Sequence, residues 1–563
     1  MNNKRKKISQ IVDAFNMKPL VTYDNWQELS VDGIIDDNRL VEKNYIFLAL
    51  QGAHVHPIIF ASQAVEKGAL AIFTDEKGAD YILNSAECLD VKNSLAERKI
   101  NIFVGNNLYD KQCELASFIF SNPSDSFKKF AVTGTNGKTT IAYIYEYCMR
   151  LIALKCGLIG TVEIHDGKNV IPSIMTTPQG ARLQQIFSKM KDNEVDAVSM
   201  EVSSHALSLG RVDGIKYDVA AFSNLSQDHL DFHKNMQEYY DAKAKLFTEK
   251  YCKKAVISID DDYGKKMYLS NLREGIYSFS SGDYKEYNIK PDFYVHNIQK
   301  VSLDSPVVLE SFSLKNTSVK NECAEQKKKS ILPLTCFELH IPKAISDVEN
   351  IKVITDMQGD FNISNIGLAL SSVILSEIDI LKLQDMLLTH IISPKVPGRM
   401  EKISSNPLVI VDFAHNPNAM KTLFKNFIKH NFSHLEHNAD GKLICIFGAC
   451  GMRDIGKRPM MAEVATEYCD KVIVTNDDLH GEDQYNILKD TLRTLPKEVI
   501  ESKIHVELDR EKAIRQTILE SADDDIILIL GRGHETSFEL PNGNLIELDD
   551  RKVAKISLEE RNA

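Results

Sequence analysis

Three crowds of side chains in this chain are of the right types and spacing to do chemistry. The first is Gly134, Thr135, Asn136, Gly137, Lys138, Thr139 and Thr140, in which glycines and small hydroxyls surround one cation. Glycines let backbone N–H groups turn inward around phosphates, and a helix N-terminus adds partial positive charge. A lysine neutralises the outer phosphates, and a threonine hydroxyl such as that of Thr139 reaches Mg2+. The chemistry is nucleotide binding, although Val132 stands where the strict phosphate-loop pattern would begin with glycine. The second crowd is Glu201, Ser203 and His205, with Arg211 beyond, followed by Asp228, His229, Asp231 and His233 within six residues and then Lys243. Alone, an acid at a strand end or a DHxDxH turn serves structure as readily as catalysis. Downstream of a nucleotide loop, an acid and a histidine are what a Mg2+ bridging phosphate oxygens needs. The third is KVIVTNDDLHGED, where Asp477, Asp478, His480, Glu482 and Asp483 fall together. By type these are metal ligands, a solvated loop or a specificity pocket.

Apolar runs deliver these residues. KFAVTG reads as a strand leading into Gly134, and Ile141, Ile144, Cys148 and Leu151, spaced 3, 4 and 3, mark the helix that follows. Near the end of the chain, PLVIVDFAH, KLICIFGAC, KVIVTND and DIILILGRG are strand-length apolar runs separated by helix-length stretches. Such runs imply a parallel sheet covered on both faces. Ligands collect at the carboxyl ends of such strands, so the stretches 412–415, 448–454, 475–483 and 531–535 should face one crevice.

A chain of 563 residues is too long for one core. The polar stretch IFSNPSDSFK and the proline-punctuated HIISPKVPGRMEKISSNP divide it into domains of 1–122, 123–394 and 395–563. Residues 296–345 fit poorly and read as strands with a solvated, lysine-rich loop inserted. The net charge of -12 disfavours nucleic-acid binding. No apolar run reaches the roughly 18 residues of a membrane span, and no apolar stretch follows the basic N-terminus. The 10 scattered cysteines include no CxxC pair, which points to a reducing cytoplasm.

In chain order, TGTNGKTT, MEVSSHAL, DHLDFH, YDAKAKLF, GDFNISN, VPGRME, VDFAHNP, RDIGKRP, GRGHE and LDDR resemble the motifs of the Mur ligases. These are ATP-dependent amide-forming enzymes of peptidoglycan precursor assembly. The match is closest to the branch that adds the third amino acid to UDP-N-acetylmuramoyl-L-alanyl-D-glutamate. It covers the chain apart from 296–345. The resemblance implies an α/β protein of three domains: an N-terminal UDP-binding domain, a central P-loop ATPase domain with a parallel sheet, and a C-terminal Rossmann-like domain. It implies ATP and Mg2+ as cofactors, and an acyl phosphate that the incoming amine converts to amide, ADP and phosphate. The stretch 134–140 would hold ATP, with Asn362 and Asn365 near the adenine and Arg399, Asp412 and His415 reaching in from the last domain. Glu201 and His229 resemble Mg2+ ligands beside Thr139, and Lys243 stands where the family carries a carbamylated lysine, N6-carboxylysine. Lys138, Lys243, His229 and Glu201 would thus be the catalytic group. Asn38, Thr176, Thr177, Ser203 and Arg211 match positions that hold the UDP-muramoyl-dipeptide. Arg453, Asp454, Gly531 and Glu535 match contacts to the incoming amino acid. The implied partners are small molecules, namely the UDP-sugar dipeptide, a diamino acid and ATP. No nucleic-acid or membrane partner is expected, and a monomer is the simplest state.

The chain also departs from the family pattern. Asn38 replaces serine in the uridine-binding DSR segment, and HVHPIIF replaces an acid-Gly-basic pattern, which leaves His54 and His56 as new contacts or surface residues. Asp477, Asp478, Leu479 and His480 align with the Asp-Asn-Pro-Arg of enzymes that add meso-diaminopimelate. The arginine fork that best matches a distal carboxylate is missing. An acid in place of asparagine repels that carboxylate and attracts an amine. Cys450, Met452 and Arg532 also replace glycine, aspartate and lysine. Lysine or ornithine is therefore the favoured substrate at Asp477, Asp478 and His480. Diaminopimelate is the alternative, with protonated His480 replacing the arginine. A paralogue joining an amide on another substrate is the second functional reading. A catalytically silent scaffold is disfavoured, because Lys138, Thr139, Glu201, His229 and Lys243 are all present.

Overall fold

The computed structural model describes residues 5–52, 55–282, 289–301, 334–427 and 441–563. These fall into two compact units that alternate along the chain. One comprises 1–133, 153–220 and 242–254, the other 134–152, 221–241 and 255–563.

The first unit holds a five-stranded sheet in the order Lys18–Val21, Asn101–Val104, Ala69–Thr74, Tyr45–Ala49, Gly33–Ile35. All neighbours are parallel except the first pair. Phe47, Phe73 and Phe103 are fully buried in it, each contributing about 1.5–3 kcal/mol through loss of apolar surface. In the same unit, Cys156–Ile159, Ala197–Glu201 and Lys128–Thr133 run parallel as neighbours. The short strands Glu163–His165 and Val170–Pro172 extend them antiparallel. Glu201 is the last residue of its strand, where a parallel sheet presents ligand-binding groups. His56, expected to be either a new contact or a surface residue, is instead 2% exposed; its Nε2 lies 3.0 Å from Asp75. His54 lies outside the described residues.

In the second unit the helices Lys138–Leu151 and Asp360–Leu375 pack together. Ile141, Ile144 and Cys148 are fully buried on the stripe that the spacing marked. Asp360–Leu375 is apolar nearly all round and is correspondingly buried from Asn362 through Leu375, with Ser364 the exception. Ile276–Ser280, Phe293–Val301, Leu334–His340 and Asn350–Thr355 are successive neighbours in a sheet. Val301 pairs with Leu334, so the expected strands border the insertion; 302–333, with its lysine-rich stretch, lies outside the described residues.

The last part of this unit is a six-stranded sheet in the order Glu401–Ser405, Leu408–Asp412, Ile526–Leu530, Leu443–Phe447, Lys471–Val474, Ile504–Val506. All but the first pair are parallel. Its four inner strands are the four apolar runs. Ile410, Cys445, Phe447, Val472 and Leu528 enter one core, and Val409, Val411, Ile444, Ile446, Ile473 and Ile527 enter another. Successive side chains point to opposite covered faces, so the runs are continuously apolar. Ile504–Val506 and the hairpin Ser537–Glu539 with Leu545–Glu547 escaped the sequence reading because each is only three residues long. Among the described residues no helix is long and apolar enough to cross a membrane, and the nine cysteines there are free thiols.

Candidate active site

In the second unit the loop 134–140 leads into the helix that begins at Lys138. Asn136 N donates to Asn224 Oδ1 over 3.0 Å, Ser223 Oγ donates to Asn136 O over 2.6 Å, and Ser226 N donates to the Thr135 hydroxyl over 3.0 Å. Lys138 Nζ lies over the loop, donating to the carbonyls of Thr135 at 2.9 Å and Gly134 at 3.1 Å. Gly137 has φ +86°, and a Cβ there would sit 2.5 Å from Asn365 Oδ1, so neither the turn nor the space admits a side chain.

Beside that approach lies an open cleft with polar and apolar walls. Asn136, Gly137 and Thr140 line it together with the expected Asn362, Asn365, Arg399 and Asp412. Asn362 Nδ2 donates to Gln358 O over 2.7 Å and Asn365 Nδ2 to Asn362 Oδ1 over 3.1 Å, which fixes both amides. Asp412 accepts from Met400 N and Ala414 N. Burial raises its pKa, and Arg399 pulls it back down. The Arg399 guanidinium lies 4.3 Å over the Phe413 ring, and its Nη2 donates to Thr139 Oγ1 over 3.3 Å. The hydroxyl expected to serve Mg2+ is therefore engaged by a cation in this arrangement. Phe361, Phe413 and Asn416 were missed. Phe361 and Phe413 line the cleft, and Asn416, fully buried, donates to Asn136 Oδ1 over 3.3 Å. Their signal was present in GDFNISN and VDFAHNP, whose polar residues drew the assignment.

His415 Nε2 lies 3.3 Å from Asp228 Oδ2, and its Nδ1 faces Phe413 O at 2.9 Å. Burial pushes the Asp228 pKa up, but the hydrogen bond and charge of His415, with His229 and Lys457, hold it well below the ordinary carboxylate range. His229 adopts φ +54° with its side chain 40% exposed, a left-handed conformation that histidine tolerates better than most residues and that clusters at functional sites.

The first unit holds the other expected groups. Glu201 is fully buried, and its carboxylate accepts from Thr161 N at 2.8 Å and Thr161 Oγ1 at 3.1 Å. Lys243 is 1% exposed. Thr177 Oγ1 donates to Glu201 O over 2.9 Å and accepts from Ser203 N over 3.0 Å, and Ser203 caps the helix Ser204–Ser208. Arg211 donates to Thr177 O over 3.1 Å, and Thr176 accepts from the Thr161 hydroxyl over 3.0 Å. The chain thus gathers Thr176, Thr177, Ser203, Arg211 and Glu201 into one cluster, in which Thr177 is fully buried and orients its neighbours. Asn38 opens the turn Asn38–Leu40 and donates to Gln63 over 2.8 Å. Asp36, which the sequence reading passed over, has its pKa raised by burial to about 6 with Arg182 and Arg211 nearby.

The VTNDDLHGED loop follows the strand Lys471–Val474 in the second unit. Asp477, Asp478 and Glu535 bring carboxylate oxygens within 4.8 Å of one another. A cation is already built in: Arg532 Nη1 lies 2.8 Å from Asp477, 3.0 Å from Asp478 and 3.4 Å from Glu535. A guanidinium amid the three acids argues against a divalent metal there. It also tempers the expected free acid of Asp478, which shares Arg532 and accepts from Glu539 N at 2.9 Å. Burial first, then the charge of Asp477, pushes the Glu535 pKa up to about 8. Gly531 N donates to Asp412 O over 3.2 Å. His480, at φ +48°, lies 3.3 Å from Glu539. Arg453 lies 3.5 Å from Asp231.

One pH dependence follows. A carboxyl raised to about 8 is neutral below that value and anionic above it. On the expectation that Glu535 contacts the incoming amino acid, an ammonium beside it favours the anion, so affinity for a cationic amino acid should rise as pH climbs through about 8. Between pH 6.5 and 8.5 the KM for such a substrate should fall about tenfold in the wild type and stay comparatively flat in Glu535→Gln, measured at saturating ATP. Parallel profiles would remove Glu535 from amine binding.

The Mur ligase middle domain model matches residues 132–373, and the Mur ligase, glutamate ligase domain model matches 398–533. The chain is 32% identical over 99% of its length to a Bacillus cereus UDP-N-acetylmuramoyl-L-alanyl-D-glutamate--2,6-diaminopimelate ligase, with 99% of that protein covered. It is 33% identical to the Geobacillus kaustophilus protein of the same name, covering 93% of this chain and 94% of that one. Among solved structures, one of a UDP-N-acetylmuramoyl-L-alanyl-D-glutamate--2,6-diaminopimelate ligase aligns with TM-score 0.55 at 25% identity, covering 99% of this chain and 100% of the other. MurF from Acinetobacter baumannii aligns with TM-score 0.61 at 15% identity, covering 94% and 96%, a likeness of fold alone.

Proposed function

Because this chain belongs to the Mur ligase family of ATP-dependent amide-forming ligases, we propose that it adds the third amino acid to UDP-N-acetylmuramoyl-L-alanyl-D-glutamate in the cytoplasm. The observation that carries this reading is the continuity of the nucleotide cleft, in which the loop 134–140 is joined by Asn362, Asn365, Arg399 and Asp412, together with full-length relatives of that named activity. The working protein is taken as a monomer with domains 1–122, 123–394 and 395–563.

In this mechanism Lys138 and the loop N–H groups neutralise the terminal phosphates of ATP as the γ-phosphoryl passes to the substrate carboxylate. The cluster of Thr176, Ser203 and Arg211, with Asn38, holds the UDP-sugar dipeptide. Arg399 completes the nucleotide site from the last domain and helps exclude water from the acyl phosphate. Thr139, Glu201, His229 and carbamylated Lys243 would hold Mg2+, which supplies charge neutralisation between phosphate oxygens. The oxygens of Thr139 and Glu201 suit a hard cation, Glu201 being a buried carboxylate already fixed by Thr161.

Arg453, Asp477, Asp478, His480, Gly531 and Glu535 read the incoming amino acid. Asp477 and Asp478, with Glu535 joining them as an anion once an ammonium binds beside it, outnumber the one guanidinium of Arg532, which favours the distal amine of lysine or ornithine. Diaminopimelate is the second reading, favoured by the names of the relatives. Amine-dependent phosphate release with the UDP-sugar dipeptide and lysine, ornithine or diaminopimelate decides among them. No turnover with any amine would sink the assignment, and turnover with diaminopimelate alone would sink the pocket argument. His480→Arg should raise the diaminopimelate-to-lysine ratio of kcat/KM at least about tenfold by restoring a carboxylate fork; an unchanged ratio would place selectivity elsewhere.

A further inference from the structure

The short segment after Ser226 bonds to the stretch that carries Arg453 and Asp454 at three successive points. Gln227 Nε2 donates to Asp454 Oδ2 over 3.3 Å, Asp228 Oδ1 lies 3.6 Å from Lys457 Nζ, and Asp231 Oδ2 lies 3.5 Å from Arg453 Nη1. The middle link differs in kind from its neighbours. Asp228 is 3% exposed, Lys457 is 8% exposed, and the other oxygen of Asp228 faces His415 Nε2 at 3.3 Å. Arg453 is half exposed, so its pairing with Asp231 is screened by solvent and contributes little. A buried charge pair is different, because removing one partner strands the other.

We propose that Asp228 is a positioning residue for amine transfer. It fixes Lys457, and through it the 453–457 stretch, against the segment that carries His229. The reaction requires the amine to meet an acyl phosphate formed at the nucleotide site. A misplacement of about 1 Å between the two is enough to cost about a hundredfold in rate. One carboxylate that grips both the nucleotide side, at His415, and the amino-acid side, at Lys457, sets that distance. The proposal rests on the reading of 453–454 as amino-acid contacts. It adds that these contacts are held in place from the other side of the reacting centre.

Asp228→Asn is nearly isosteric and keeps an acceptor for His229 N, which now donates to Asp228 Oδ1 over 3.0 Å. In steady-state phosphate release this variant should raise the KM for the amino acid at least about tenfold. The KM for ATP should rise clearly less than that for the amino acid, since the loop 134–140, Asn362 and Asn365 are held by bonds that do not involve Asp228 and only His415 on the nucleotide side touches it. Lys457→Met should produce a similar defect, and the double variant should be no worse than either single one. Hydrogen exchange provides a readout independent of turnover: in Asp228→Asn, peptides covering 450–458 should exchange at least about fivefold faster with the rest of the chain unchanged. If the wild type turned over no amine, the functional reading would fail while the exchange result still decided the positioning role. Additive effects in the double variant, equal rises in both KM values, or exchange that is uniform or unaltered would each overturn the proposal.

Discussion

Lys138→Ala is expected to lower amine-dependent release of phosphate from ATP by at least about three orders of magnitude, the largest effect predicted for any single side chain here. Phosphoryl transfer offers a protein little covalent chemistry to perform, so positioning and charge neutralisation supply nearly all of the acceleration. Removing one neutral oxyanion donor costs other enzymes about a hundred- to a thousandfold, and a full cation at the terminal phosphates weighs more. Lys138 is the first residue of its helix, so its charge adds to the partial positive charge of the helix N-terminus. Its amine already lies over the loop at 2.9 and 3.1 Å from two loop carbonyls. The loop should survive the substitution, because Asn136 and Thr135 are held by Asn224, Ser223 and Ser226 instead. Melting temperature should therefore change little while turnover is lost. Normal turnover in Lys138→Ala would refute the phosphate-loop assignment; lost turnover with a large drop in melting temperature would show a folding defect.

The contrast between the two ends of this site shows which physics a sequence carries on its face. The phosphate loop was legible because its chemistry is local: glycine torsions, a lysine and a helix start fall within seven consecutive residues. The last sheet was legible for a similar reason, since burial on both faces writes itself into uninterrupted apolar runs such as LICIF. Phe413 and Asn416 were hidden because their roles depend on partners their own motif does not contain, Arg399 from the preceding VPGRME motif above the ring and Asn136 from far along the chain. Asp228 was noticed as part of a crowd, yet nothing in DHLDFH announces Lys457 or His415, which arrive from over a hundred residues away. The acids after Val474 mark another limit of reading by residue type. Their types left metal, loop and pocket open, and Arg532, from the next sheet strand but one, supplies the positive charge there as a guanidinium.

Lys243→Ala should be inactive, with turnover reduced at least about a hundredfold, and should be partly rescued by a short carboxylate such as formate or acetate. Lys243 is 1% exposed, and a lysine with the ordinary pKa of about 10.4 would bring a full cation into the Mg2+ site proposed above. Like charges oppose one another, whereas a lysine that has condensed with carbon dioxide carries an anion on the same stem. In that reaction the neutral amine attacks CO2, a C–N bond forms, one proton leaves, and the product is a carbamate whose oxygens are hard donors suited to Mg2+. Alanine removes the stem and leaves room for a small carboxylate to occupy the vacated space, which an ammonium mimic such as methylamine would not exploit. Rescue by formate or acetate of at least about tenfold over the variant alone, without rescue by methylamine, is the expected pattern. Incubating the wild-type protein with 13C-labelled bicarbonate should also give a carbamate carbon resonance that Lys243→Ala lacks. Rescue by the amine would assign Lys243 a cationic role, and full activity in the unrescued variant would remove it from the mechanism.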